Sequence, residues 1–163
     1  MLKTDDTRSV DEAMRLYRER FAATGIYENR VYAKVPQMLD NLRDAGCMLF
    51  LATSKPRIYA QRIVDHLELT KYLSGVYGSE LDGAHENKSD LLRSLLNSEA
   101  LEASASAMVG DRSHDMIAAA ENCLCAVGVA WGYGSVEELA QAGASVICKD
   151  PDEVFHFLTG STS

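Results

Sequence analysis

From residue 35 onward the sequence alternates strand-length apolar runs with amphipathic stretches of helical period, and few folds accommodate that order. The runs are Cys47–Ala52, Gly75–Gly78, Ala105–Val109, Leu124–Ala130 and Ser145–Cys148. Between them lie the stripes Val35, Met38, Leu39, Leu42; Ala60, Ile63, Val64, Leu67; and Leu91, Leu92, Leu95, Leu96. Continuous apolar runs suit strands buried on both faces, and parallel neighbours need a crossover, usually a helix. The pattern predicts an α/β protein: a Rossmann-like, mostly parallel sheet with helices on both faces. Before residue 35 only a helix is expected, opened by a capping box at Ser9–Glu12, running to about Thr24, with Val10, Met14, Tyr17 and Phe21 on one face.

Composition narrows the function. A chain of 163 residues, 47% hydrophobic, suits one globular domain. The net charge of −8, with no basic run, argues against nucleic acid or an anionic membrane surface as partner. No apolar stretch approaches the ~18 residues of a spanning helix, and Met1–Asp6 does not read as a signal peptide. Cys47, Cys123, Cys125 and Cys148 match no zinc spacing. A strand at 123–125 would turn two thiols to one face. The four are expected to be reduced, buried and structural, in a cytoplasmic protein.

The chemistry gathers at strand ends. Ala105–Val109 runs into Gly110-Asp111 and then a helix start, with Asp115 four residues after Asp111. If the helix begins near Ser113, both carboxylates face one way and suit a hard cation such as Mg²⁺. Thr53 and Ser54 follow the first strand, in a polar turn closed by Pro56 at a helix start, and Lys88 opens the helix after the second. Parallel strands put all their carboxyl ends on one side, where α/β proteins bind ligands. A hydroxyl, an ammonium, helix N-terminal amides and a Mg²⁺-binding carboxylate together suit a phosphoryl group. Each group has a plainer reading. Thr53-Ser54 serves as a helix cap, Lys88 as a solvated cation, Gly-Asp as turn chemistry, and Trp131 and Tyr133 as packing beside a glycine-rich turn. Ser135, with Glu138 three residues on, reads as the cap of the next helix. The joint arrangement carries the phosphate reading.

The order Thr53-Ser54-Lys55-Pro56, Lys88, Gly110-Asp111-Arg112-Ser113-His114-Asp115 resembles the haloacid dehalogenase-like phosphatases. The stretch Val129-Ala130-Trp131-Gly132-Tyr133-Gly134 narrows the likeness to the phosphoglycolate-phosphatase type. The resemblance implies that Thr53 and Ser54 bind the phosphoryl group and that Lys88 neutralises it. Thr53 and Lys88 are then the catalytic residues present, with Asp111 ligating Mg²⁺ and Asp115 supporting the metal or its waters. It implies a small phosphorylated metabolite as substrate. It also implies a partial helical cap over residues 1–34 and a core over 35–163.

One departure stands beside the match. The family's first strand ends Asp-x-Asp-x-Thr and supplies the nucleophile and the general acid/base, but here only Asp5-Asp6-Thr7 comes near, at the wrong spacing. That strand lies between those leading to Thr53 and Asp111. Its absence leaves three expectations: the two strands pair directly, another chain fills the gap, or the sequence is a fragment of a longer enzyme. The reading is therefore a Mg²⁺-dependent phosphomonoester hydrolase, truncated and weak or inactive as given. The alternative is a phosphate- or Mg²⁺-binding pseudoenzyme or interaction module. A receiver domain shares the Asp, Thr and Lys inventory but in the wrong chain order.

Overall fold

The computed structural model describes residues 25–80 and 87–160, together with Glu12, Arg15 and Arg20, which are helical. The rest of the helix expected over 9–24, and most of the loop 79–86, lie outside the described residues. After a 3-10 turn at Gly25–Glu28 comes α1 (Val35–Asp44), with Pro36 in its first turn, where a missing N–H costs nothing. It buries Met38 and Leu42. The chain then alternates as expected: β1 (Phe50–Pro56), α2 (Arg57–His66), β2 (Gly75–Ser79), α3 (Lys88–Ser98), β3 (Ala107–Gly110) and α4 (Ser113–Glu121). It continues through β4 (Cys125–Val129), α5 (Val136–Gln141), β5 (Val146–Cys148) and α6 (Pro151–Thr159).

Every strand pair is parallel, but the strands form two ladders, β1–β2 and β3–β4–β5. Direct pairing of β1 with β3, one of the expected outcomes, does not occur among the described residues. Cys125 N donates to Ser106 O at 3.0 Å, which turns the even-numbered backbone groups of β3 toward β4 and leaves those of Ala107 and Val109 on the free side.

Apolar clusters cover both faces. On one, Leu92 of α3, Met116, Ala118 and Ala119 of α4, and Leu139 of α5 pack on Met108 and Ala126. On the other, Met38 and Leu42 of α1 and Val154 of α6 pack on Val127, Val129 and Cys148. Neighbouring β4 residues therefore point to opposite apolar clusters.

Three local expectations shift. The first strand starts three residues late and continues through the Thr53–Pro56 segment expected as a turn; Pro56 still pairs with Ser79 after a register break. Residues before a proline favour extended backbone, so Lys55 stays in the strand and α2 starts at Arg57. Cys123 does not share a strand face with Cys125. It precedes β4 at φ 59° and is exposed, because the chain must reverse out of α4 there. Of the four unpaired thiols, Cys148 is buried and Cys47 and Cys125 are half-buried.

Candidate functional site

Gly110 ends β3 with no side chain for a steric reason: a Cβ there would lie 2.4 Å from Asp115 Cβ. The bare strand end lets the first turn of α4 fold back on it. Asp115 is buried, its Oδ2 accepting from Arg112 N at 3.2 Å. Its Oδ1 lies 3.1 Å from Lys88 Nζ, with the two side chains only 6% and 9% exposed. Lys88 is the first residue of α3, a start fixed by Asn87, whose Oδ1 accepts from Ser89 N at 2.8 Å and Asp90 N at 3.3 Å. The ammonium also donates to Ala52 O at 2.7 Å. One buried cation thus joins a β1 carbonyl to a carboxylate that follows β3.

Thr53 and Ser54 sit beside that junction because Ala52 precedes them in β1. Thr53 is half-buried, its Oγ1 accepting from Lys55 N at 3.2 Å. Ser54 is exposed, and its carbonyl accepts from Ser79 Oγ at 3.2 Å.

Asp111 is held by a different set of contacts. Its Oδ2 accepts from Tyr133 N at 2.7 Å, and its carbonyl from Gly134 N at 3.0 Å. Gly132 makes room: a Cβ there would lie 2.2 Å from Asp111 Cβ. The next two residues are gripped by Glu138, whose Oε1 accepts from Ser113 N at 2.8 Å and Arg112 Nε at 3.1 Å. Those bonds, Ser113 N–H first and then the Arg112 guanidinium, hold the Glu138 carboxyl down at about 2.

The structure therefore brings Lys88 and Asp115 into direct contact, places Thr53 and Ser54 next to the lysine's carbonyl partner, and sets Asp111 on its own supports. Sequence reasoning missed two parts. Ala52 carries no chemical signal, since only its backbone acts. Glu138 reads as the cap partner of Ser135, and Ser135 Oγ does accept from Glu138 N at 3.1 Å. The Glu138 carboxylate, however, crosses to the start of α4. The only available signal was that both helix starts belong at one sheet edge.

The donor set suits Mg²⁺ sparingly. Both oxygens of Asp115 are engaged, whereas Oδ1 of Asp111 has no hydrogen-bond partner among the described residues. No group of three or more His, Cys, Asp and Glu side chains gathers among the described residues. Mg²⁺ is commonly held by one or two carboxylates plus waters and substrate oxygens, so Asp111 fits as the direct ligand with Asp115 behind it. A separate depression of about 270 Å³ lies along β2, lined by Arg57, Tyr77, Gly78, Glu80 and Leu91 among others. Its two charges pair with each other at 3.6 Å.

The haloacid dehalogenase-like hydrolase family profile matches residues 2–129. A 5'-nucleotidase of Pseudomonas aeruginosa is 43% identical over 139 residues, covering 85% of this chain and 63% of its own length. Tyrosine-protein kinase PtkA of Mycobacterium tuberculosis is 33% identical over 139 residues, 85% of this chain and 48% of its own. The chain thus spans about half to two thirds of the length of these curated relatives. The crystal structure of a predicted phosphatase from Clostridium acetobutylicum superposes with a TM-score of 0.90 at 37% identity, over 95% of this chain and 72% of that one.

Proposed function

The chain belongs to the haloacid dehalogenase-like hydrolase family, and from that premise we propose that its site binds the phosphoryl group of a small phosphomonoester together with Mg²⁺. The observation that carries this reading is the Lys88 ammonium, on a side chain only 9% exposed, held between Ala52 O within β1 and Asp115 Oδ1 just beyond β3. A buried cation next to Thr53 is a ready counter-charge for a phosphate. The Thr53 and Ser54 hydroxyls directly follow Ala52, whose carbonyl accepts from that cation. Asp111 is the carboxylate left to meet the metal, which when bound polarises a phosphoryl oxygen. The leaving group is a small metabolite, of the phosphoglycolate type or, as the name of the 43% relative suggests, a nucleoside.

A second reading has its own support. The Asp-x-Asp-x-Thr segment that serves as nucleophile in the resembling phosphatases occurs nowhere in this sequence. On its own, the chain then binds phosphate and metal but releases phosphate weakly or not at all; losing a covalent nucleophile commonly costs many orders of magnitude in rate. Four unpaired thiols go with a cytoplasmic setting, and no helix among the described residues is long and apolar enough to cross a membrane.

Two measurements test the proposal together. Equilibrium dialysis with inorganic phosphate should show Mg²⁺-dependent binding that Asp111→Ala and Lys88→Ala abolish. Colorimetric phosphate release from glycolate and nucleoside monophosphates should stay near background. Release that Asp111→Ala abolishes would replace the binding reading with the catalytic one. Absence of phosphate binding, with or without Mg²⁺, would overturn both.

A further inference from the structure

We propose that Glu138 is a positioning residue for Asp111, locking the turn that carries it to the loop that holds its carboxylate. The inference rests on the metal-binding reading above and assigns a role to a side chain outside the expected ligand set.

The argument runs through connectivity. Asp111 and Arg112 form the turn between β3, which ends at Gly110, and α4, which opens at Ser113. The segment from Trp131 to Glu138 contacts that turn at four hydrogen bonds: Tyr133 N to Asp111 Oδ2, Gly134 N to Asp111 O, Ser113 N to Glu138 Oε1 and Arg112 Nε to Glu138 Oε1. The first two set the carboxylate directly. They hold only if the turn and the loop stay in register, and Glu138 accepts the other two bonds, which fix this register. Its single Oε1 takes two donors, one of them a guanidinium, which makes the contact charge-assisted. The carboxylate also lies at the start of α4, where the helix dipole favours an anion. Gly132 and Gly134 let the loop close down, since a Cβ at either would strike Asp111 at 2.2 Å or 2.1 Å. The fit between loop and turn has no slack, so a loosened Glu138 would let Asp111 swing.

Outer partners of this kind typically change metal affinity about 10- to 100-fold when removed. The probe is Mn²⁺ alone, the free ion counted by electron paramagnetic resonance, with the emission of Trp131, the only tryptophan, as a second readout. The full chain is titrated as wild type, Glu138→Gln, Glu138→Ala and Asp111→Asn. Wild type should saturate, and Asp111→Asn should not. Glu138→Ala should bind roughly 10- to 100-fold more weakly at a temperature well below its melting point, with Glu138→Gln in between because it can still accept from Ser113 N. A merely structural Glu138 would lower the melting temperature and leave the affinity alone. Affinity within twofold of wild type in Glu138→Ala, or in Glu138→Gln should the alanine variant not fold, overturns the positioning role and leaves the metal reading intact. A wild type that fails to saturate overturns the metal reading, and this inference with it.

Discussion

The two ladders are built to different standards. In β4, flanked by β3 and β5 and covered on both faces, four of five residues are buried. In β1, paired on one side only among the described residues, none of the seven is. The site takes parts from both, Thr53 and Ser54 from the β1 side and Asp111 and Asp115 from beyond β3. The lesson is that the core and the site's geometry depend on different residues. Packing around β4 stabilises the fold, whereas Lys88 ties a β1 carbonyl to the carboxylate beyond β3, beside the apolar contact of Leu92 with Met108 and Met116. Stability of this kind is distributed unevenly, and the comparison can be broken at identifiable side chains.

Asp115→Ala should have the largest effect. It leaves the buried Lys88 ammonium without its carboxylate and removes the acceptor for Arg112 N, and breaking a buried pair from one side costs about 3–5 kcal/mol. Urea midpoints should fall accordingly. Lys88→Met in the same background should recover part of the loss, because the stranded charge goes with it. A loss below about 1 kcal/mol in the single variant would mean that the lysine does not join the two halves.

Next come two leucine truncations of like chemistry. Leu139, fully buried against β4, should cost about 2–5 kcal/mol on change to alanine. Leu51, half-buried in β1, should cost about 1 kcal/mol, since only part of its surface leaves water. Equal losses would erase the contrast between the ladders. Amide exchange refines it: the β4 amides should exchange only through global unfolding, and those of Phe50 and Ala52, turned away from β2 and toward no other strand among the described residues, through smaller openings.

How much of this was legible in the sequence follows the range of the signals. The bounds of α4 match the reading of Ser113 to Glu121, and Lys88 opens α3 as expected, because caps and 3.6-residue stripes are local. The parallel class was legible too, since strict alternation leaves little else. The continuation of β1 through Thr53–Pro56 was not, because a Pro after polar residues looks like a turn until β2 supplies a partner. Asp115 read as a companion of Asp111 from its spacing. Its distribution of contacts, one oxygen to Lys88 and one to Arg112 N, depends on where α3 docks. Glu138 was hidden for the same reason. A glutamate three residues after a serine looks the same whether its carboxylate turns back to its own helix or crosses to another.

That crossing gives the smallest and most specific prediction. The Glu138 carboxyl titrates at about 2 in the fold, against an ordinary 4.5, held there first by Ser113 N–H and then by Arg112. A carboxyl depressed by folding contributes stability that is fully present above its unfolded value and lost as pH falls through its folded one. The urea midpoints of wild type and Glu138→Gln should therefore differ by a constant amount above about pH 5 and converge between 4.5 and 2. Added salt should shrink the plateau only in part. It screens the half-exposed Arg112 pair but leaves the bond from Ser113 N. Two midpoint curves that run parallel down to pH 2 would show that the carboxylate is not bound across to α4, and the contact between loop and turn would lose its anchor.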